Sequence, residues 1–431
     1  MKLVLENIGK IKRADIELNG ITVIAGENNT GKSTVSKVLF AVVNSLYRGS
    51  EQVHDQRDAS VFNILANLFR TDGFNCELKS DMILNVYDHG ELVDSCELKK
   101  YNEDKNGLIV ILATFATKLG IDYTPLESTY EHAAERILDM VKMPDEEIQT
   151  ATLLSLVNIE LDGQINNLNL PDSIGHVNFQ YNDVDVNLSI KDCSNQGLIG
   201  THTINSSAYY IESPYQMDRT YGRNPHESFI SRYHSHHNSH IQYFLKPSVL
   251  HPKNIVDEIL DEKILARVMK KLNAVCTGSL KRTGGVRYQY HDSNTNISYK
   301  LRNLSTGIKS FLIIKTLLLN NSLKHGDVLI FDEPEVHLHP KWQVSFAELL
   351  VLLQQEMGLH IFINTHSADF LEAIEVYSQR HGIVDKCKYY LAEDNDNYSL
   401  INDVTNSTDK IYEKLLSVVQ LLENERYSDN D

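Results

Sequence analysis

The stretch I-T-V-I-A-G-E-N-N-T-G-K-S-T, residues 21–34, decides the fold. Its opening residues are apolar or β-branched, the pattern of a strand buried on both faces. G-E-N-N-T-G-K-S then follows P-loop spacing. Beyond it Val35, Val38, Leu39, Val42, Val43 and Leu46 recur at helical spacing. Strand, glycine loop and helix in that order aim a helix N-terminus and successive backbone N–H groups at a phosphate. Gly26 and Gly31 permit the tight turn. Glu27, Asn28, Asn29 and Thr30 complete the cradle. Lys32 is placed for the β- and γ-phosphates, Ser33 for Mg²⁺ and Thr34 for the α-phosphate. ATP and Mg²⁺ are the expected cofactors.

The rest of such a site lies near the other end of the chain. V-L-I-F-D-E, residues 328–333, is an apolar run ending in two carboxylates. Asp332 is expected to hold Mg²⁺ through water, and Glu333 to orient and activate the attacking water. L-H-I-F-I-N-T-H-S, residues 359–367, reads as another buried strand, ending near His366, a candidate γ-phosphate sensor. In L-R-N-L-S-T-G-I-K-S, residues 301–310, a polar turn precedes an apolar helix over 311–319. Ser305, Thr306 and Gly307 there offer a hydroxyl and a helix N-terminus to an anion. That anion need not be bound by Lys32 of the same chain.

Together these segments resemble the ATP-binding-cassette ATPases, in the soluble branch of chromosome-structure, recombination and phage-defence ATPases. L-S-T-G-I-K, residues 304–309, looks like the signature segment, departing from Leu-Ser-Gly-Gly-Gln at Thr306 and Ile308. P-E-V-H-L-H-P, residues 334–340, is similar to the tail of the overcoming-lysogenization-like ATPases. The resemblance implies an α/β, ABC-type P-loop head and ATP sandwiched between two heads. Lys32, Ser33, Asp332, Glu333 and His366 then act in one subunit, Ser305 and Gly307 in the other. It also implies a metal-contacting glutamine after a strand, for which Gln216 is the candidate. Arg13, within residues 10–13, is a candidate for the adenine or ribose.

The head is assigned to residues 1–50 and 205–390. A largely helical insertion fills 51–204. A second, partner-contact insertion spans 217–300, and a strand–helix segment, 391–431, closes the chain. Helices are expected near 61–69, 108–119, 131–143 and 147–157, with no sustained heptads and hence no long coiled coil. R-Y-H-S-H-H-N-S-H, residues 232–240, places His236 and His240 four apart. It reads as a zinc site or as a solvent-facing, histidine-rich loop or helix start. The latter is favoured because no carboxylate or cysteine stands at ligand spacing. Lys281, Arg282 and Arg287 near Tyr288 and Tyr290 read as a solvated hairpin or a small nucleic-acid patch, with the hairpin favoured.

With 431 residues, 42% hydrophobic, the chain can build a sizeable core. A net charge of −17 argues against a simple electrostatic DNA clamp. Scattered cysteines (76, 96, 193, 276, 387) form no CxxC pair. With no signal peptide or membrane span read, a cytoplasmic protein is expected, and transport is disfavoured. No nuclease constellation is recognised. The pattern therefore suggests a regulatory ATPase of bacterial anti-phage defence, similar to the PtuA-type ATPases of Septu systems. The partners implied are further ATPase heads in a homodimer or higher oligomer, a separate HNH-type nuclease, and a DNA or phage-derived trigger. The alternatives are an AriA-like PARIS sensor with a Toprim-like effector, or a repair ATPase acting directly on DNA.

Overall fold

A computed structural model describes residues 1–70, 105–118, 127–170, 172–191, 194–195, 197–219, 235–246, 255–283 and 287–428. Cys76, Cys96, Cys193 and His234 lie outside these residues. Cys276 and Cys387 are buried thiols.

The strands, in chain order, are β1 (Lys2–Ile8), β2 (Ile11–Glu17), β3 (Ile21–Gly26), β4 (Gly175–Tyr181), β5 (Val184–Lys191), β6 (Ser194–Asn195) and β7 (Ala208–Ile211). They continue as β8 (Ser279–Thr283), β9 (Arg287–His291), β10 (Ser298–Lys300), β11 (Val328–Asp332), β12 (His360–Thr365), β13 (Cys387–Asn395) and β14 (Tyr398–Asp403). The helices are α1 (Lys32–Leu46), α2 (Gly49–Arg70), α3 (Lys105–Lys118), α4 (Glu127–Lys142), α5 (Asp145–Glu160), α6 (His237–Phe244) and α7 (Ile255–Val275). After them come α8 (Thr306–Leu319), α9 (Pro340–Met357), α10 (Ala368–Arg380) and α11 (Asp409–Ser428).

One eleven-stranded sheet runs β6-β5-β4-β1-β2-β14-β13-β3-β12-β11-β7. From β13 to β7 it is parallel. There β3 is buried along its whole length, as a parallel strand covered on both faces must be. Alternate residues divide the interior into two cores. Val23, Phe331 and Ile363 face α8, α9 and α10. Ile24, Ile330 and Phe362 face α1. The chain thus carries an α/β fold with helical insertions, and no described helix is long enough for a coiled-coil arm. None is long and apolar enough to cross a membrane.

The chain divides into two compact units. One comprises 1–47, 152–199 and 204–431, and the other 48–151 with 200–203. The described residues of the second unit are largely helical. Within it the Arg57 guanidinium, nearly buried, pairs with Asp145 at 2.6 Å. The expected helical insertion over 51–204 therefore needs correction at its C-terminal end. Residues 175–195 form β4–β6 and extend the main sheet from β1. The reason is a period-two alternation: Val177, Phe179, Val186, Leu188 and Ile190 are buried, with polar residues between.

The hairpin of β8 and β9 also separates the residues of the basic-aromatic patch. Lys281 and Arg282 are exposed, but Tyr288 and Tyr290 sit in the core. They present no stacking surface to a base.

Candidate nucleotide site

The site assembles at the C-terminal ends of three neighbouring parallel strands, the usual place for ligands in open α/β sheets. Gly26 ends β3, Asp332 ends β11, and His366 follows β12 between them. Asn364 stands in register with both Ile24 and Asp332.

Glycine is required at both ends of the loop. A Cβ on Gly26 would lie 2.5 Å from the Ala392 carbonyl oxygen. Gly31 has φ +83° and caps α1 with no side-chain hydrogen bond. The first turn of α1 carries no acidic residue, so its N–H groups stand open to an anion. Glu27, Asn28, Asn29 and Ser33 are exposed, Thr34 is half-buried, and the Thr30 hydroxyl donates to the Glu27 carbonyl at 2.8 Å.

Lys32 is 5% exposed. Its ammonium donates to the carbonyls of Gly26 at 2.9 Å and Glu27 at 2.6 Å. Burial lowers its pKa, opposed by the charges of Glu333, Asp332, Glu335 and Glu27. The turn between β1 and β2 closes on the loop. A Cβ on Gly9 would meet Thr34 at 3.1 Å, and one on Gly31 would meet Ile11 at 2.8 Å. Lys10, in that turn, pairs with Asp394 at 2.6 Å. Arg13 lies further along β2, exposed and 3.8 Å from Glu6.

The acidic corner is ordered by residues that local sequence does not single out. Asp332 accepts from the Tyr210 hydroxyl at 2.8 Å and from the Asn364 amide at 2.9 Å. Asn364 also donates to Ser36 of α1 at 2.7 Å, tying the P-loop helix to the carboxylate. Glu333 has φ +48°, a strained backbone for a residue with a side chain, and its N–H donates to the Asn364 carbonyl at 2.9 Å. Its carboxylate lies 3.4 Å from His366 Nδ1.

Glu335, 3% exposed, accepts from the Thr365 hydroxyl at 2.6 Å and the His366 N–H at 3.1 Å. Burial raises its pKa. Its signal was present in the sequence as the third acid of D-E-P-E. Asn364, by contrast, directly follows the apolar residues 361–363 and belongs to no motif that singles it out.

Gln216 is buried in the turn after β7. Its amide nitrogen donates to Asn238 Oδ1 at 2.8 Å, and it lies 3.4 Å from the carbonyl of Tyr210, the residue whose hydroxyl holds Asp332. Its Oε1 is buried with no hydrogen-bond partner. That orphaned oxygen, the open helix end and the carbonyl-tethered lysine fit a Mg²⁺–nucleotide ligand.

The segment 304–309 starts α8. Ser305 is its N-cap and accepts from the Ile308 N–H at 3.4 Å. The Thr306 hydroxyl reaches the His337 carbonyl at 3.4 Å. A Cβ on Gly307 would lie 2.5 Å from the Trp342 ring, so only glycine fits. Lys309 is buried and pairs with Asp218 at 2.8 Å. The two open helix ends thus belong to helices on opposite faces of the sheet: α1 on one, α8 on the other.

The histidine segment is the start of α6, one of the expected alternatives, but it does not face solvent. His237 and His240 are fully buried. The missing carboxylates come from remote positions: Glu160 meets His237 Nδ1 at 2.6 Å, and Glu212 meets its Nε2 at 3.2 Å. The His237 ring stacks on Tyr210 with centroids 4.3 Å apart. His240 packs among Phe40, Tyr209 and Phe244, with both ring nitrogens unpartnered, and burial pushes its pKa down to about 3.

A family model described as an AAA ATPase domain matches residues 1–371. No curated protein matches the chain. Among solved structures, the SMC head domain from Thermotoga maritima is 11% identical, with 94% of this chain and 98% of that one covered and a TM-score of 0.37. The Smc head domain of Pyrococcus furiosus, with an extended coiled coil and bound to the C-terminal domain of ScpA, is 10% identical, with 99% and 98% covered and a TM-score of 0.34.

Proposed function

From the premise that the chain belongs to the AAA ATPase domain family, we propose that it hydrolyses ATP at a site shared between two copies and thereby controls a separate nuclease in bacterial anti-phage defence. The observation that carries the hydrolytic part is the corner formed by Asp332, Glu333, Glu335 and His366 beside the P-loop.

In this reading the loop N–H groups and Lys32 bind the phosphates. Ser33, Asp332 and Gln216 hold Mg²⁺, which neutralises charge on the phosphates. Glu333 takes a proton from the attacking water, and His366, whose Nδ1 lies 3.4 Å from that carboxylate, orients it and faces the γ-phosphate. Glu335 fixes the His366 backbone. Ser305, Thr306 and Gly307 of a second copy close over the same nucleotide. The placement of α1 and α8 on opposite faces favours this sharing over closure within one chain.

The defence role rests on the motif at 334–340. Leu338 is buried beneath it, His339 caps α9, and Pro340 occupies the first turn. This tail resembles those of the overcoming-lysogenization-like ATPases, and the Septu type, with an HNH nuclease partner, is our reading within that branch. Reconstitution tests it. The chain alone should leave linear and supercoiled DNA intact with Mg²⁺ or Mn²⁺. Together with an HNH-type nuclease partner, DNA should be cut, and Lys32→Ala or Glu333→Gln should change the cutting. A Toprim-like neighbour would move the assignment to the PARIS type. Cleavage by the purified chain alone, lost on changing one of its residues outside the ATP site, would overturn the regulatory reading.

A further inference from the structure

We infer that Glu160, His236 and His237 form a binding site for a zinc-class divalent cation, apart from the nucleotide site. Glu160 ends α5, whereas the two histidines start α6, so the fold gathers ligands far apart in sequence. One donor atom from each lies within 4.8 Å of the others. The Glu160 and His237 side chains are fully buried, and His236 is half-buried.

The groups around these three already set their orientation. Glu160 Oε1 accepts the His237 backbone N–H at 2.7 Å, which leaves Oε2 facing His237 Nδ1. Glu212 accepts from the opposite nitrogen, Nε2, at 3.2 Å, and is itself held by the Asn238 amide at 3.2 Å. A carboxylate behind a histidine is the usual partner of a metal-bound imidazole, because it fixes the tautomer and raises ligand basicity. His236 is oriented as the N-cap of α6, its Nδ1 accepting the Asn238 N–H at 3.3 Å. The Tyr210 ring stacks on the face of His237.

Two imidazoles and one carboxylate are a nitrogen-rich set that suits Zn²⁺, whereas Mg²⁺ and Ca²⁺ favour oxygen. In the metal-free protein a proton shared between His237 Nδ1 and Glu160 satisfies the buried carboxylate. On binding, the Nδ1–H bond breaks, the proton leaves to solvent and the Nδ1–zinc bond forms. The Nε2–H donated to Glu212 is kept. No oxidation state changes. The three protein ligands leave a fourth position for water.

The test uses the full chain, stripped with chelator, then equilibrated with Zn²⁺ in the presence of excess Mg²⁺ and ADP to occupy the nucleotide site. Metal content is measured by mass spectrometry, and Co²⁺ substitution is followed by its visible absorption. Wild type should retain about one Zn²⁺ per chain and give an intense tetrahedral Co²⁺ band. His236→Gln and Glu160→Gln should lose both. Because loss of the buried His237 endangers folding, Glu212→Gln serves as the milder variant. Its side chain is 43% exposed. It should keep nucleotide binding while weakening Zn²⁺ by about 10- to 100-fold. Absence of retained zinc in wild type, or equal zinc affinity and Co²⁺ spectrum in the His236 and Glu212 variants, would overturn the site.

Discussion

At the residue scale, Glu333 is the group on which turnover should depend most. Glu333→Gln keeps the size of the side chain and removes the base. It should lower kcat by about 100- to 10,000-fold and leave ATP binding intact, as read by steady-state turnover and nucleotide titration. Equal turnover would remove Glu333 from the reaction. Asn364 acts through Asp332. Asn364→Ala should raise the Mg²⁺ needed for half-maximal activity by about tenfold, with turnover recovered at saturating Mg²⁺. An unchanged Mg²⁺ profile would leave Asn364 as packing.

His240 is buried and His360 half-buried, and burial pushes their pKa values down to about 3 and about 4. Unfolded histidine titrates near 6.5, so the unfolded chain binds more protons between those values. Their contribution to stability is complete above about pH 6.5. As pH falls toward the folded pKa values it is lost, by about 1.4 kcal/mol per pH unit for each residue. His240→Leu should flatten the fall of Tm between about pH 6.5 and 4.5. A slope identical to wild type would contradict this. Asp332 and Glu333 were legible because they end an apolar run, and His366 because it lies just beyond another. Tyr210, Asn364 and the Glu160–His237 pair were not, since only pairing across the sheet and packing onto α5 bring them together.

At the scale of elements, the start of α8 combines an exposed hydroxyl with a glycine clamped under Trp342. Ser305→Ala should cost about 1 kcal/mol as a lost helix cap. Gly307→Ala forces a methyl into the indole and should cost about 1–3 kcal/mol, measured by denaturant unfolding. If Gly307→Ala proves neutral, α8 and α9 are not packed as described. The parallel strands around the P-loop were readable because strands covered on both faces are continuous apolar runs. The strands β4 and β5 alternate instead, and their Asn and Asp residues look like loop punctuation until the buried face is seen. α2 to α5 were readable as elements. Where α5 leaves the helical unit and joins the head is a matter of tertiary packing, which local periodicity does not encode.

At the scale of the whole molecule, the central claim is that two copies complete one ATP site. Lys32→Ala disables the P-loop and keeps Ser305. Ser305→Arg fills the exposed start of α8 and keeps the P-loop, at the modest cost of a cap. Each variant alone should hydrolyse ATP poorly. A mixed dimer restores one site, with Lys32 from one subunit and Ser305 from the other. The deciding measurement is ATPase rate against mixing ratio, with subunit exchange verified by labelled protein. The account predicts a maximum at equal mixing, on the order of a quarter of the wild-type rate if the subunits pair at random in a two-fold dimer. A rate that stays at the level of the separate variants at every ratio would contradict it and place the complete site within one chain.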